Sequence, residues 1–150
     1  MWSRLGSIQY QNDRVIDLAD ETPFASGDNR LCFRHPNDAG LCIKVLRCGR
    51  AKQLYAASPF YKKMFREAYF DDNRREYAAY QQPAVARNEC TYDQHVARCY
   101  GWVRTTLGDG LVTDLIADFN GNPAQTLEDY LSEHGLNTLI QETVGDLARF

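Results

Sequence analysis

Long apolar runs are missing from this sequence of 150 residues. A helix that spans a bilayer needs about 20 consecutive apolar residues, and no segment approaches that length. Residues 1–13 also lack the apolar stretch of a secretory signal. These two absences predict a cytoplasmic protein with no membrane span.

Cysteine and histidine residues at metal-binding spacing are missing as well. The cysteines are odd in number and form no C-x-x-C motif, and the histidines are spread along the chain without ligand spacing. We therefore expect reduced thiols and no metal site. The residues concerned are Cys32, Cys42, Cys48, Cys90, Cys99, His35, His95 and His134.

A large excess of charge of either sign is also absent. The net charge is −3, and 44% of the residues are hydrophobic against 25% charged. These values are typical of a folded globular domain and differ from those of disordered chains. Because no positive field extends over the whole chain, we do not expect a nucleic-acid partner.

Two groups of strand patterns are present, separated by a segment of different period. Gly27-Asp28-Asn29 and the segment around Pro36 are turn signals in the first group, and Asp109-Gly110 is a hairpin signal in the second. The sequence thus predicts an antiparallel sheet. Strand-like runs lie at 15–18, 22–25, 31–34 and 41–46, which together imply three strands with two tight connections, and strand patterns return at 95–105 and 111–117.

Helical spacing of apolar residues characterises the segment between the two groups of strands. After Ser58-Pro59, apolar residues recur every three or four positions over 61–69, which predicts an amphipathic helix. A second helix is expected from Asp72 to Gln82, because Pro83 ends it. Glu76 lies at its centre.

The carboxyl-terminal part predicts two more helices. Thr126 and Asp129 form a capping box for a helix that Gly135 closes. Asn137 caps the last helix. Its expected apolar stripe consists of Leu139, Ile140, Val144, Leu147 and Phe150.

The turn at 25–30 is a candidate phosphate-binding turn and contains Ser26 and Gly27. Backbone N–H groups bind phosphate well where a glycine lets the chain approach closely. The full G-x-G-x-x-G pattern is absent, since Gly27 is the only glycine in this turn. An ordinary hairpin turn is the alternative interpretation.

Lys44 lies in an apolar strand, within Cys42-Ile43-Lys44-Val45. The setting is similar to the V-A-I-K strand whose lysine contacts the α- and β-phosphates of ATP, with a carboxylate holding the ammonium in place. Glu76 is the candidate for that carboxylate. The alternatives are a solvent-facing lysine guarding a sheet edge and a solvated helix acid.

The order of these parts is similar to the small lobe of a protein kinase. In that arrangement the strand 111–116 ends in the hinge, whose backbone groups meet the adenine edge, and Asp114 and Ile116 are the hinge candidates. From this similarity we expect ATP with Mg as the ligand. The alternative for these hinge residues is a buried strand followed by a loop.

The predicted fold class is α+β. It comprises a protein-kinase-like small lobe, with a five-stranded antiparallel sheet and an αC-type helix, followed by the first helices of a large lobe. The expected domain bounds are 1–13 for an extension, 14–117 for the small lobe, and 118–150 for the hinge and the start of the large lobe.

Several stretches resemble the YrbL family, bacterial proteins named for their place in the PhoP regulatory network. The His-Pro-Asn-Asp turn before Cys-Ile-Lys, together with Ile-Ala-Asp-Phe-x-Gly, is fairly specific for that family. The matching stretches are Thr22-Pro23, Ser26-Gly27, Cys32-Phe33-Arg34-His35-Pro36-Asn37-Asp38, Cys42-Ile43-Lys44-Val45, Arg74-Arg75-Glu76, Ile116-Ala117-Asp118-Phe119-Asn120-Gly121 and Thr126-Leu127.

The resemblance implies a kinase-like fold associated with responses to cation limitation and envelope stress. It carries over Ser26, Gly27, Lys44 and Glu76, whereas the stretch between Arg47 and Asp72 is longer than in the family. Family members continue into a segment resembling a catalytic loop. These 150 residues contain no H-R-D-like base and no D-F-G-like aspartate. We therefore expect no catalytic residue here, and either a missing carboxyl-terminal segment or a degenerate family member kept for binding.

Three function classes remain open from the sequence. The chain is the ATP-binding part of a kinase-like enzyme, a pseudokinase that binds nucleotide or a protein partner, or an unrelated interaction domain. If the last helix packs on a missing lobe, an apolar surface near Leu139 and Phe150 is expected to be exposed.

Overall fold

The computed structural model describes residues 10–64, 67–82 and 96–149. Within these ranges the architecture is mixed α+β, with one six-stranded sheet, four α-helices and two short 3-10 helices. The strands are β1 (Tyr10–Ile16), β2 (Ala25–Ser26), β3 (Arg30–His35), β4 (Asp38–Leu46), β5 (Cys99–Thr105) and β6 (Gly108–Asp114). The helices are α1 (Arg50–Ala57), α2 (Asp72–Tyr80), α3 (Leu127–His134) and α4 (Thr138–Arg149), and the 3-10 helices are Phe60–Met64 and Glu67–Phe70.

The sheet has the strand order β1-β5-β6-β4-β3-β2. β2 to β6 pair antiparallel, as the sequence predicts, but the sheet has six strands because β1 adds to its edge, parallel to β5. β1 begins at Tyr10, inside the segment that the sequence assigned to an extension. Backbone hydrogen bonding stabilises an edge strand without requiring apolar alternation. The polar residues of this segment therefore gave no strand pattern before residue 15.

One face of the sheet, termed the core face, carries the apolar core. Ile43 on β4 pairs with Phe33 on β3 and with Val112 on β6, so the three side chains share this face. Gly110 gives room to Ile43, since a Cβ there would lie 2.5 Å from Ile43 Cγ2. The cluster consists of Ile16, Leu18, Phe33, Ile43, Val45, Val103 and Val112.

The opposite face, termed the helix face, is covered by α2. Asp71 caps this helix, since its carboxylate accepts hydrogen bonds from the backbone N–H groups of Asn73 and Arg74. The ring of Tyr77 meets the buried ring of Trp102 edge-on at 5.7 Å. Because successive residues of a strand point to opposite faces, Lys44 lies on the helix face while its neighbour Ile43 lies in the core.

The amphipathic helix predicted over 61–69 is wrong. The described part of this segment forms 3-10 helices, and Tyr61 and Met64 are 65% and 83% exposed. An apolar stripe stabilises a helix only when another surface covers it, and here it has little cover. The structure instead has α1, which starts at Gly49 without a side-chain cap and was not predicted.

The cap signals near the carboxyl end are confirmed. Thr126 Oγ accepts from Asp129 N before α3, Gly135 follows that helix with a φ of 68°, and Asn137 Oδ1 accepts from Ile140 N. Leu139 and Phe150, the predicted exposed apolar surface, lie outside the described side chains. None of the helices in the described ranges has the length and apolar character needed to cross a bilayer.

Candidate functional site

Lys44 and Glu76 form the ion pair that the sequence predicts. Lys44 Nζ lies 2.7 Å from Glu76 Oε1, which joins the centre of β4 to the centre of α2. Each side chain is 21% exposed, so the pair is largely shielded but reachable from solvent. The contact holds the ammonium at a fixed position on the helix face.

Arg30, which the sequence analysis did not single out, contacts the same carboxylate. Its Nη1 donates to Glu76 Oε2 while Lys44 binds Oε1, so each carboxylate oxygen of Glu76 has one cation. Arg30 opens β3 directly after the candidate phosphate-binding turn. The ion pair is therefore a three-residue cluster that connects the turn, the lysine strand and the helix.

Asn73 anchors this cluster from one turn earlier in α2. It is 1% exposed, and its side chain donates from Nδ2 to the backbone oxygen of Lys44 at 2.7 Å. Its Oδ1 accepts from Arg30 Nη1 at 3.4 Å. Because Asn73 and Glu76 are three residues apart, both point to the sheet from one side of the helix.

The pKa values follow from this arrangement. Burial acts to raise the pKa of Glu76, but the hydrogen bonds and charges of Lys44 and Arg30 outweigh it, so the pKa lies below its usual value. One helical turn further, burial and the charge of Glu76 raise the pKa of Tyr80 to about 12. Glu76 is therefore ionised and Tyr80 protonated at neutral pH.

The candidate phosphate-binding turn is a tight hairpin between β2 and β3. Gly27 N donates to Arg30 O at 3.0 Å, and Arg47 closes over the turn by donating to Gly27 O and Ser26 Oγ. Gly27 has no positive φ, and a Cβ there would meet its nearest atom, Arg30 O, only at 4.0 Å. The fold itself therefore does not require glycine at this position.

The tip of the turn is also tied to α2. Asn29 Nδ2 donates to Asp72 Oδ2 at 2.8 Å, and Arg50 Nε donates to Asn29 Oδ1 at the same distance. Together with the contact of Arg30 to Glu76, these bonds fix the turn against the first two turns of the helix.

The two hinge candidates differ in their backbone bonds. Asp114 N donates to Arg98 O, and the Asp114 carboxylate accepts from Arg98 N and Tyr100 OH, so this residue ties β6 to the segment before β5 and to β5 itself. Ile116 is 61% exposed, and its carbonyl accepts from Ala124 N at 2.9 Å. Among the described residues, no acceptor is bonded to the Ile116 amide.

Cysteines lie beside the cluster on the helix face. Cys32 pairs with Lys44 across β3 and β4, and burial raises the pKa of its thiol. Cys42 Sγ lies 3.2 Å from Thr113 Oγ1. The four described cysteines form no disulfide, and Cys90 lies outside the described residues. No group of His, Cys, Asp or Glu side chains in the described ranges could hold a metal ion.

A cleft of about 380 Å³ lies on the outer side of the turn, between α1, the 3-10 helices and the start of α2. None of the predicted site residues lines it. Two of its lining residues, Asn29 and Asp72, are hydrogen-bonded to each other between the turn and α2. Its lining residues are Asn29, Leu54, Tyr61, Lys62, Tyr69, Phe70, Asp72 and Arg75.

The structure brings part of the predicted site together, while Asp114 and Ile116 have their described hydrogen bonds with residues outside it. Lys44 and Glu76 are in direct contact. Gly27 donates a backbone hydrogen bond to Arg30, whose side chain contacts Glu76 as the third member of the cluster. The residues that sequence reasoning missed are Arg30 and Asn73. Asn73 could have been recognised from the sequence, because it lies three residues before Glu76 and so on the same face of the helix.

Comparison with known proteins gives a family and two relatives. The family model described as "PhoP regulatory network protein YrbL" matches residues 16–150. Proteins named "Uncharacterized protein YrbL" from Escherichia coli (strain K12) and from Shigella flexneri are each 27% identical to this chain over 122 residues. That alignment covers 79% of this chain and 48% of each relative, so the chain spans about half the length of the curated relatives it matches. No solved structure matches. Since the family model covers nine-tenths of the sequence, the chain belongs to the family of PhoP regulatory network proteins of the YrbL type.

Proposed function

We propose that this chain is the ATP-binding part of a kinase-like regulatory protein of the YrbL type and acts in the cytoplasm. The observation that carries the proposal is the 2.7 Å contact between Lys44 Nζ and Glu76 Oε1. In a kinase-like site, a strand lysine that is oriented by a helix carboxylate binds the phosphates of ATP.

The order of the elements supports the same proposal. β2, β3 and β4 form an antiparallel meander, α2 follows, and the hairpin of β5 and β6 returns so that β6 lies beside β4. This order fits a kinase-like small lobe over residues 14–117. Residues 118–150, with α3 and α4, are then the hinge and the start of a large lobe.

Each site residue has a role in this proposal. The Lys44 ammonium contacts phosphate oxygens, and Glu76 orients it. Ser26 and Gly27 present the turn to the phosphates, and the absence of a Cβ at Gly27 allows close approach. On the hinge, Ile116 offers its amide to the adenine edge, while Asp114 holds the strand end in place. Mg enters as the metal of bound Mg-ATP.

The proposal concerns binding rather than phosphoryl transfer by these residues. Phosphoryl transfer requires a base and metal-binding side chains arranged around the reacting phosphate. Within the described ranges, no group of three or more His, Cys, Asp or Glu side chains could hold a metal ion, and the sequence contains no H-R-D-like base. We therefore propose that this chain alone binds nucleotide without transferring its phosphoryl group.

Thermal unfolding with and without Mg-ATP tests the proposal. At about 1 mM ligand, a dissociation constant of about 10 μM would stabilise the fold by roughly 2.7 kcal/mol. We expect a clear rise in Tm for the wild type and none for Lys44→Ala. Lys52→Ala is the matched control, because Lys52 is an exposed lysine in α1.

A second substitution separates a phosphate site from general charge attraction. Gly27→Ala fits the turn without strain, so it is expected to leave the unliganded Tm unchanged and to weaken Mg-ATP binding. Equal rises in Tm for the wild type, Lys44→Ala and Gly27→Ala would contradict the proposed site.

A second candidate function is a pseudokinase or interaction domain that binds a protein partner and no nucleotide. Exposed apolar side chains near the hinge and the last two helices favour it: Phe119 is 97% exposed and Leu136 is 67% exposed. Such side chains often mark an interface. Sedimentation of the wild type and Phe119→Ser checks self-association through this surface, and an unchanged monomer in both would count against it.

A further inference from the structure

Arg30 adds a second positive charge to the ion pair of Lys44 and Glu76. Its guanidinium and the Lys44 ammonium share one carboxylate, so the cluster keeps one uncompensated positive charge. Both cations are only partly shielded, with side-chain exposures of 30% and 21%. An anion that reaches this cluster therefore meets a net attraction.

The guanidinium also has donors left for a ligand. Its contacts to Glu76 and Asn73 both use Nη1. A guanidinium has five N–H donors in a planar fork, and within the described ranges Arg30 donates from Nη1 alone. The Nε and Nη2 edge has the geometry that matches two oxygens of a phosphate.

The position of Arg30 lies between the two groups proposed to bind phosphate. Its carbonyl closes the turn by accepting from Gly27 N at 3.0 Å, and its side chain reaches the carboxylate that holds Lys44. A phosphate chain that extends from Lys44 toward the turn would therefore pass the guanidinium.

We propose that Arg30 is a second phosphate-binding cation and makes the site selective for nucleoside di- and triphosphates over monophosphates. This inference rests on the proposed function of the same site. Lys44 contacts the phosphate nearest the nucleoside, and Arg30 contacts a phosphate further along the chain. Affinity then increases with the number of phosphates, and inorganic tripolyphosphate competes with ATP.

Calorimetric titration of ATP and AMP into the wild type, Arg30→Ala and Arg34→Ala tests the inference. Arg30→Ala is expected to weaken ATP binding by about tenfold to a hundredfold, the usual effect of losing a hydrogen bond to a charged group, and AMP binding by less than about twofold. Arg34 is the matched control, because it lies on β3 four residues away and donates to Gly121 O. Its removal is expected to leave both affinities unchanged.

A double substitution separates ligand contact from an effect through Glu76. If Arg30 contacts phosphate, Arg30→Ala still weakens ATP binding in the Glu76→Gln background. If it costs nothing in that background, or weakens ATP and AMP equally, Arg30 only positions Glu76 and the inference is overturned.

The failure of the inference is distinguishable from failure of the site. ATP binding that Lys44→Ala abolishes and Arg30→Ala leaves intact would overturn the role of Arg30 and preserve the proposed function. A wild type that binds neither ATP nor tripolyphosphate would overturn both. Circular dichroism of each unliganded variant establishes that the fold is retained.

Discussion

The two faces of the sheet differ in what they bury, although their residues alternate along the same strands. On the core face, Ile43 and Val45 are at most 1% exposed and belong to the apolar core cluster. On the helix face, Lys44 between them binds Glu76 at 2.7 Å. A shift of register by one residue would exchange the two sets, so the same alternation fixes both the core and the site. The core face carries a purely apolar cluster, whereas the helix face combines buried side chains such as Trp102 with the charged residues of the proposed site.

The largest expected effect comes from adjacent substitutions that separate these two faces. Ile43→Ala removes a fully buried side chain and is expected to lower the free energy of unfolding by about 2–5 kcal/mol. Lys44→Met is expected to lower it by about 1 kcal/mol, because Arg30 continues to neutralise Glu76. Urea denaturation of both variants measures the difference. Equal losses would show that the division between the faces is wrong.

Gly110→Ala tests how tightly the core face is packed. The new Cβ would lie 2.5 Å from Ile43 Cγ2, so the substitution is expected to destabilise the fold by about 1–3 kcal/mol. In the Ile43→Ala background that methyl group is absent. The cost of Gly110→Ala should therefore be smaller there, and additive losses in urea denaturation would contradict the predicted contact.

The dependence of stability on acid pH tests the ion pairs of Glu76 on the helix face. The pKa of Glu76 is lower in the folded chain than its usual value of 4.5, so the contribution of its charge is complete above that value and is lost as the pH falls through the folded pKa. Glu76→Gln lacks this contribution. We expect the stability of the wild type to fall more steeply than that of Glu76→Gln below about pH 4.5. Parallel curves of unfolding free energy against pH would refute the coupling to Lys44 and Arg30.

The smallest effect concerns thiol reactivity. Burial raises the pKa of Cys32 and of Cys99, whereas Cys48 is exposed. Because the thiolate is the reactive form, iodoacetamide is expected to modify Cys48 before Cys32 and Cys99. Mass spectrometry of timed digests checks the order. Faster modification of Cys32 than of Cys48 would mean that the helix face is more open than the structure shows.

The sequence identified elements whose signals are local. Lys44 followed from an apolar strand, Glu76 from a helix ended by Pro83, and the last helices from Thr126 and Asn137. In each case neighbouring residues alone determine the structure, through alternation or capping. The kinase-like character and the nucleotide are still proposals, because the site residues show the geometry and not the ligand.

The sequence failed where distant contacts decide the outcome. The described part of 61–69 forms 3-10 helices instead of the predicted α-helix, because an amphipathic pattern does not say whether a surface will cover it. The first part of β1 and its parallel pairing with β5 were missed because the edge of a sheet accepts a polar strand. Arg30 was missed because its partner Glu76 is 46 residues away and the phosphate-turn pattern directs attention to glycines.

The central claim is that the ammonium of Lys44, fixed by Glu76, contacts the phosphates of ATP. Nuclear magnetic resonance of the lysine side-chain ammonium groups during an ATP titration tests it most directly. The account predicts that the Lys44 signal, assigned by its loss in Lys44→Met, shifts and saturates with bound ATP while that of Lys52 stays in place. Saturable ATP binding that leaves the Lys44 signal unmoved, or the absence of any binding, would contradict the account.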